Sequence, residues 1–271
     1  MTFQFVEPSG FLKNYIKNYC FMESDFHEAD VIERVIPTES IQIMFHYKNP
    51  FVVLDAHQNG KKQPRSIISG LSHSYSDVST HGETGVVFIS FYPIGASYFF
   101  DFSLSEIENQ SIDLMDVYKS EIEKVEELLY VKKTIQERIQ VIEQFLIQRF
   151  TPIVLQDHLF LEKGIDLIKK TGGQTNAKAI SQQLNATTKT VERKFSQYLG
   201  KSTKQMIKLI RFQEVLHQFG GPTMVSLTDC AYKNGYFDQS HFIHEFKSFT
   251  GYTPKEFQKR YPQYNSDGEK C

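Results

Sequence analysis

Apolar positions follow two different rhythms along this chain. In the first part they form short runs: Val31–Ile36, Ile41–Tyr47, Phe51–Ala56, Ser66–Ser69 and Val86–Tyr92. Pro37, Asn49-Pro50, Asn59-Gly60, Pro64, Gly70, Gly82, Gly85 and Pro93 separate them. An aromatic strand around Tyr19-Cys20-Phe21 precedes these runs, after a helix or turn at Ser9-Gly10-Phe11-Leu12. Short β-rich runs divided by turn residues predict an antiparallel barrel or sandwich. In Val86–Tyr92, Val87, Ile89 and Phe91 alternate with Phe88, Ser90 and Tyr92, so both faces of this strand are expected to be buried.

Ser97–Phe100 and Ser103–Glu108 read as short helical pieces. From Lys119 to Phe150 the period is plainly helical. Ile122, Val125 and Leu128-Leu129 make one stripe, and Ile135, Ile139, Ile142 and Leu146 make another, with charges on the other faces. The stripes fit either a dimerising helical pair or two helices packed on the chain's own β-domain. They are too short for a coiled coil. Thr151-Pro152 marks a linker.

Beyond it, Leu159–Lys170 reads as a packing helix closed by Thr171-Gly172-Gly173, and Asn176–Leu184 as the first helix of a helical domain. In Asn234–Pro254, Phe242, Phe246 and Phe249 recur at helical spacing behind a candidate N-cap, Asp238. Ser240, His244 and Lys247 fall on the opposite face, flanked by His241 and Ser248. The same pattern stands 51 residues upstream, where Gly200–Met206 matches Gly251–Phe257 in type, and Phe195 and Val191 stand for Phe246 and Phe242. Lys189, Arg193 and Ser196 then stand for Ser240, His244 and Lys247. Between the copies, Ser202–Phe219 predicts one helix, roughly 27 Å long, stopped by Gly220-Gly221-Pro222. A helix with an aromatic inner face and a donor-rich outer face suits the DNA major groove. Two of them on a rigid spacer can reach successive grooves, about 34 Å apart.

Charge sharpens this picture. The net of −2 divides into 13 Lys+Arg against 22 Asp+Glu over residues 1–157, and 17 against 10 over 158–271, or −9 and +7. A basic C-terminal part on an acidic N-terminal part is expected of a nucleic-acid-binding module fused to another domain. The three cysteines form no CxxC pair, and no secretory signal or membrane span is visible, so a cytoplasmic setting is expected.

Residues from about 160 to 261 resemble the DNA-binding domain of the AraC/XylS family of bacterial transcription regulators. The match rests on Gly235-Tyr236-Phe237-Asp238-Gln239-Ser240-His241-Phe242, Phe246-Lys247, Gly251-Tyr252-Thr253-Pro254, Val191-Glu192-Arg193-Lys194-Phe195 and Ile210-Arg211-Phe212. The resemblance implies an α+β chain. A small cupin-like antiparallel β-barrel with helices would occupy 1–118 and a helical connector 119–152. An all-α domain of two helix-turn-helix units joined by a long helix would occupy 158–262, before a disordered tail at 263–271. Arg34-Val35-Ile36-Pro37, Phe45-His46-Tyr47, Ile68-Ser69-Gly70 and Phe91–Ala96 are similar to the family's β-domain.

By the same resemblance, Lys189, Glu192 and Arg193 point at bases, with Thr188, Thr190, Ser196 and Gln197 beside them. Gln239, Ser240, His241, His244 and Lys247 do so in the second unit. Arg193 suits guanine O6/N7. Glu192 suits either cytosine N4 or an intrahelical pair. His244 stands where the family often has Arg or Lys, so weaker binding by the second unit is expected. Lys178, Lys194, Lys201, Lys204, Lys247 and Lys255 are candidate phosphate contacts or solvated charges. Arg211 is expected to have a structural role. Asn185 replaces the turn glycine, while Cys230 and Asn234 stand at apolar positions. The implied partners are double-stranded DNA, RNA polymerase, a small-molecule effector and a second copy of the chain.

The β-domain's aromatic residues (Phe45, Tyr47, Phe51, Phe88, Phe91, Tyr92) either line a ligand pocket or fill the core. His46, His57, His73 and His81 lack the H-x-H pairing of a cupin metal centre, so no metal, cofactor or enzyme activity is expected. The alternatives are a ligand-independent architectural DNA-binding protein and a cupin-like metal enzyme fused to a helical domain.

Overall fold

A computed structural model of the chain describes residues 1–25, 31–219 and 226–261. The stop expected at Gly220-Gly221-Pro222 and the tail expected at 263–271 lie outside the described residues. The chain divides into two compact units. One holds Met1–Val35, Ser40–Leu71 and Ser76–Ile153; the other holds Ile36–Glu39, Ser72–Tyr75 and everything from Val154 onward.

The first unit is built on antiparallel strands: β1 (Thr2–Val6), β2 (Ile16–Ser24), β3 (Ile32–Val35), β4 (Gln42–His46), β5 (Val52–Leu54), β6 (Gly60–Lys62), β7 (Ser66–Ser69), β8 (Ser76–Ser79), β9 (Thr84–Phe91) and β10 (Ser111–Asp113). They form two sheets, in the orders β1-β2-β9-β4-β7-β10 and β3-β8-β5-β6. Strand β9 lies between β2 and β4, with Ile89 opposite Tyr19 and Ile43, and all its residues are buried. Its two alternating apolar sets each find a face to cover, as their pattern required. Strands β1, β6, β8 and β10 were not foreseen. Residues in β6 are all exposed, and pairing with β5 holds that strand, with no apolar periodicity to announce it. Phe45, Phe51, Phe88 and Phe91 are buried, with the Phe51 ring 4.8 Å from His46 and 6.2 Å from Phe88. Those rings fill the core, whereas Tyr92 is exposed.

Three short 3-10 turns and helices α1 (Leu114–Tyr118), α2 (Ser120–Val131) and α3 (Ile135–Arg149) complete the unit. Thr134 and Glu137 form a capping box at the start of α3, satisfying donors that the first turn leaves free. Ile122, Val125, Leu129, Ile139, Ile142 and Leu146 are all buried. Phe145 sets its edge on Phe45, with centroids 6.1 Å apart. Glu143 accepts from Tyr19 Oη (3.2 Å) and Ser9 Oγ (2.6 Å), Glu126 accepts from Ser66 Oγ (2.6 Å), and the Arg138 guanidinium lies 3.7 Å from the Tyr47 ring centre. Of the two fates open to these stripes, packing on the chain's own sheet is the one the structure shows. Leu128 stays half-exposed outside the buried stripe.

The second unit is helical: α4 (Leu155–Lys170), α5 (Ala177–Gln183), α6 (Thr188–Leu199), α7 (Thr203–Phe219), α8 (Leu227–Lys233), α9 (Gln239–Thr250) and α10 (Pro254–Arg260). Helix α4 starts a turn earlier than its apolar pattern implied, because Leu155 and Leu159 are exposed and give that turn no buried face. Helix α7 has 17 residues and buries Met206, Leu209, Ile210, Phe212, Val215 and Leu216 among others. It is about 26 Å long at 1.5 Å per residue.

Truncating Phe145 to Ala is expected to destabilise the first unit by about 3–5 kcal/mol in denaturant unfolding, with the association state unchanged. Unaltered stability together with altered association would show that α3 serves a second subunit instead.

Candidate nucleic-acid interface

The 51-residue echo in the sequence is a repeat in three dimensions. Thr187 caps α6 by accepting Thr190 N–H (3.1 Å), and Asp238 caps α9 by accepting His241 N–H (2.7 Å). Each helix ends on a glycine in the left-handed region, Gly200 at φ 74° and Gly251 at φ 75°. Each following helix opens on a reciprocal cap, Ser202 with Gln205 before α7 and Thr253 with Glu256 before α10. The preceding turns correspond as well. Asn185 and Gly235 have φ of 51° and 71°, which asparagine tolerates and glycine favours. Each unit is therefore a helix, a tight turn and a second helix with a fixed start and stop.

Inward faces anchor both second helices. Val191, Phe195 and Leu199 are buried under α6, and Phe242, Phe246 and Phe249 under α9. Phe212 of α7 stacks on Phe249 with centroids 4.4 Å apart, and it meets Phe246 edge-on. Arg211 holds Glu245 through three hydrogen bonds of 2.8–3.2 Å, and its guanidinium lies 4.5 Å from the Tyr236 ring centre. The structural role expected of Arg211 is thus what the structure shows. Burial pushes the Tyr236 hydroxyl well above its ordinary pKa. Cys230 and Asn234, polar where apolar residues were expected, are buried without loss. The Asn234 amide donates to Cys230 O (2.8 Å) and exchanges hydrogen bonds with Gln218 at 3.0 Å.

Outward faces carry most of the expected contacts. Thr188, Lys189, Arg193 and Gln197 on α6 are exposed, with Thr190 and Ser196 partly so. On α9, Gln239, Ser240, His241, His244 and Lys247 are all exposed. Glu192 has a partner the sequence reading did not include: it accepts the backbone N–H of Thr203 (3.0 Å), one of the donors left free at the start of α7. Two of the candidate phosphate contacts are corrected. Lys194 is ion-paired to Asp157 of α4, and Lys201 is 2% exposed, so neither is a free surface cation. The hydrogen bond from Lys194, joined by one from Tyr198 at 3.0 Å, holds the Asp157 carboxyl below its usual range. Lys178, Lys204 and Lys255 are exposed.

A family model described as a helix-turn-helix domain matches residues 180–260, the stretch that holds α6, α7 and α9. Residues 180–260 thus match a helix-turn-helix domain, in keeping with the two capped units described above. A second model, a domain of unknown function (DUF6597), matches residues 4–113 of the β-sheet unit. No curated protein matches the chain. Among solved structures, ToxT from Vibrio cholerae aligns over 88% of this chain and 97% of its own, at 14% identity and TM-score 0.45. Unsaturated fatty acid-bound ToxT from Vibrio cholerae strain SCE256 aligns over 88% and 94%, at 14% identity and TM-score 0.44. The AraC-like transcriptional activator CuxR aligns over 72% and 80%, at 10% identity and TM-score 0.26. No helix among the described residues is long and apolar enough to cross a membrane.

In the β-sheet unit, no group of three or more His, Cys, Asp or Glu side chains among the described residues could hold a metal ion. His46 is buried, 3.2 Å from Gln63 Oε1 through Nε2, while Nδ1 has no partner among the described residues. Burial lowers its pKa to about 4. A cleft of about 490 Å³ in this unit is lined by Tyr47, Lys48, Lys62, Gln63, Arg65, Glu83 and Tyr130 among others.

Two outcomes follow from these contacts. Glu245→Ala leaves Arg211 buried without its carboxylate, which is expected to cost about 3–5 kcal/mol in unfolding of the helical unit. A loss under about 1 kcal/mol would mean that the pair behaves as a surface ion pair. His46 has its folded pKa below its unfolded one, so its effect is absent above pH ~6.5, and stability is lost as the pH falls from there towards 4. The sheet unit is expected to be on the order of 2 kcal/mol less stable at pH 5 than at pH 7 from this group. Urea melts of His46→Gln should show a flatter pH dependence; an unchanged slope would assign the loss elsewhere.

Proposed function

We propose that the chain reads one specific duplex sequence with α6 and α9 together, and that the β-sheet unit adjusts this binding in response to a small molecule. The observation that carries the reading is the repeat itself: two capped helices, both packed on α7, each presenting a polar face. Helix α6 offers Thr188, Lys189, Thr190, Arg193, Ser196 and Gln197, and α9 offers Gln239, Ser240, His241, His244 and Lys247. Arg193 is the strongest base reader, because its fork matches guanine O6 and N7 in the major groove. Lys189, Lys247 and the exposed Lys178, Lys204 and Lys255 supply phosphate attraction. The second unit has His244 where an arginine would add a fixed charge, so it contributes less to affinity than the first. Around the cleft of the sheet unit Lys48 is paired with Glu83, and Lys62 and Arg65 are the cations left to meet an anionic effector.

Fluorescence anisotropy against duplexes selected from a genomic library tests this. Wild-type protein should bind a few fragments tightly, and Arg193→Ala should lose about 5- to 150-fold on them, the worth of one bidentate base contact. Weak, uniform binding by both proteins that fades with salt would mean phosphate contact alone and would overturn the specific reading.

A further inference from the structure

The two units are not identical at the turn, and the difference points to a DNA contact that the polar faces do not include. In the first unit the turn runs from Asn185 through Ala186 to the cap Thr187, and Ala186 N–H donates to Ser181 O (3.0 Å). In the second it runs from Gly235 through Tyr236 to Phe237 and then the cap Asp238, and Tyr236 N–H donates to Ala231 O (3.0 Å). The backbone bonds thus pair Ala186 with Tyr236, and Phe237 is one residue more than the first unit has. Both neighbours of Phe237 are fixed. Tyr236 is 3% exposed, packed between the Arg211 guanidinium and the rings of His241 (5.4 Å) and Phe242 (5.1 Å). Asp238 is extended, with φ −153° and ψ 174°, and tied to the N-terminus of α9. Between the buried Tyr236 and the capping Asp238, Phe237 is 85% exposed, the most exposed large apolar residue among those described.

A benzyl group this exposed adds little to the packing of the fold. Its position is specific, however: it stands immediately before the first turn of α9, beside exposed Gln239 and Ser240. N-terminal residues of a recognition helix are the ones that reach base edges. The one apolar group on the major-groove edge of a base pair is the thymine C5-methyl. We propose that Phe237 packs on a thymine methyl at the outer edge of the second half-site, so that this unit reads one base pair through apolar contact. This rests on the DNA-reading role of α9 proposed above. It gives the unit with the weaker electrostatic grip an element of specificity that salt does not screen.

The test uses the full chain, Phe237→Ala and Phe237→Ser on the duplex that wild type selects from random sequence. Each thymine is replaced in turn by deoxyuridine, which lacks only the methyl. One replacement in the second half-site should weaken wild type about 4-fold, the worth of one buried methyl-sized group at about 0.8 kcal/mol, and leave Phe237→Ala unaffected. Both variants should melt like wild type. Equal selected sequences and equal affinities for wild type and Phe237→Ala would overturn the contact while the DNA-reading role stands. A uniform loss in Phe237→Ala with no sensitive thymine would also overturn it, in favour of a backbone contact. Failure of wild type to select any sequence would remove the reading of α9 and this inference together.

Discussion

Helices α6 and α9 each carry one carboxylate, and both are turned onto α7. Glu192, the only acidic residue of α6, accepts the first N–H of α7; Glu245, the only one of α9, is gripped by Arg211 in the middle of α7. The electrostatic constraint behind this is simple. A carboxylate facing a phosphate backbone repels it, and a carboxylate buried without a partner is costly. Engaging both acids with α7 meets the two conditions at once, and it fixes the helices that carry them. Their outer faces are left with threonine, serine, glutamine, histidine, lysine and arginine.

Around these anchors the apolar contacts supply most of the cohesion. Phe212 joins Phe246 and Phe249, and α4 approaches α6 so closely that a Cβ on Gly164 would come within 2.9 Å of the Phe195 ring. The ion pair of Asp157 with Lys194 ties the start of α4 to the middle of α6. With its first turn capped and its inner face packed, α7 joins the helices that carry the two polar faces.

The helical half was legible in the sequence because its signals are local. Caps, turn residues and a 3.6-residue period lie within a few positions of one another, and the repeat shows them twice. Asn185 could be placed in the turn by the resemblance, and Arg211 in a structural role from its apolar neighbours. What escaped were contacts made by distant approach. Nothing near Lys194 announces Asp157, and nothing near Lys201 announces its burial. Glu192 looked able to reach cytosine or a neighbour on its own helix, and its partner is a backbone group in the next one. In the sheet unit the buried β4, β7 and β9 were readable, whereas the polar β6 and β8 owe their shape to pairing. The helices α2 and α3 showed their stripe but not what covers it.

The central claim is that α7 holds two reading helices in one fixed phase, and phasing along the duplex tests it directly. On the duplex selected by the full chain, five base pairs would be inserted between the two half-sites, turning the second by about half a helical turn. The account predicts that affinity falls to that of a duplex whose second half-site is scrambled. Undiminished affinity after the insertion would contradict it, because the two helices would then be reading independently of the frame that joins them.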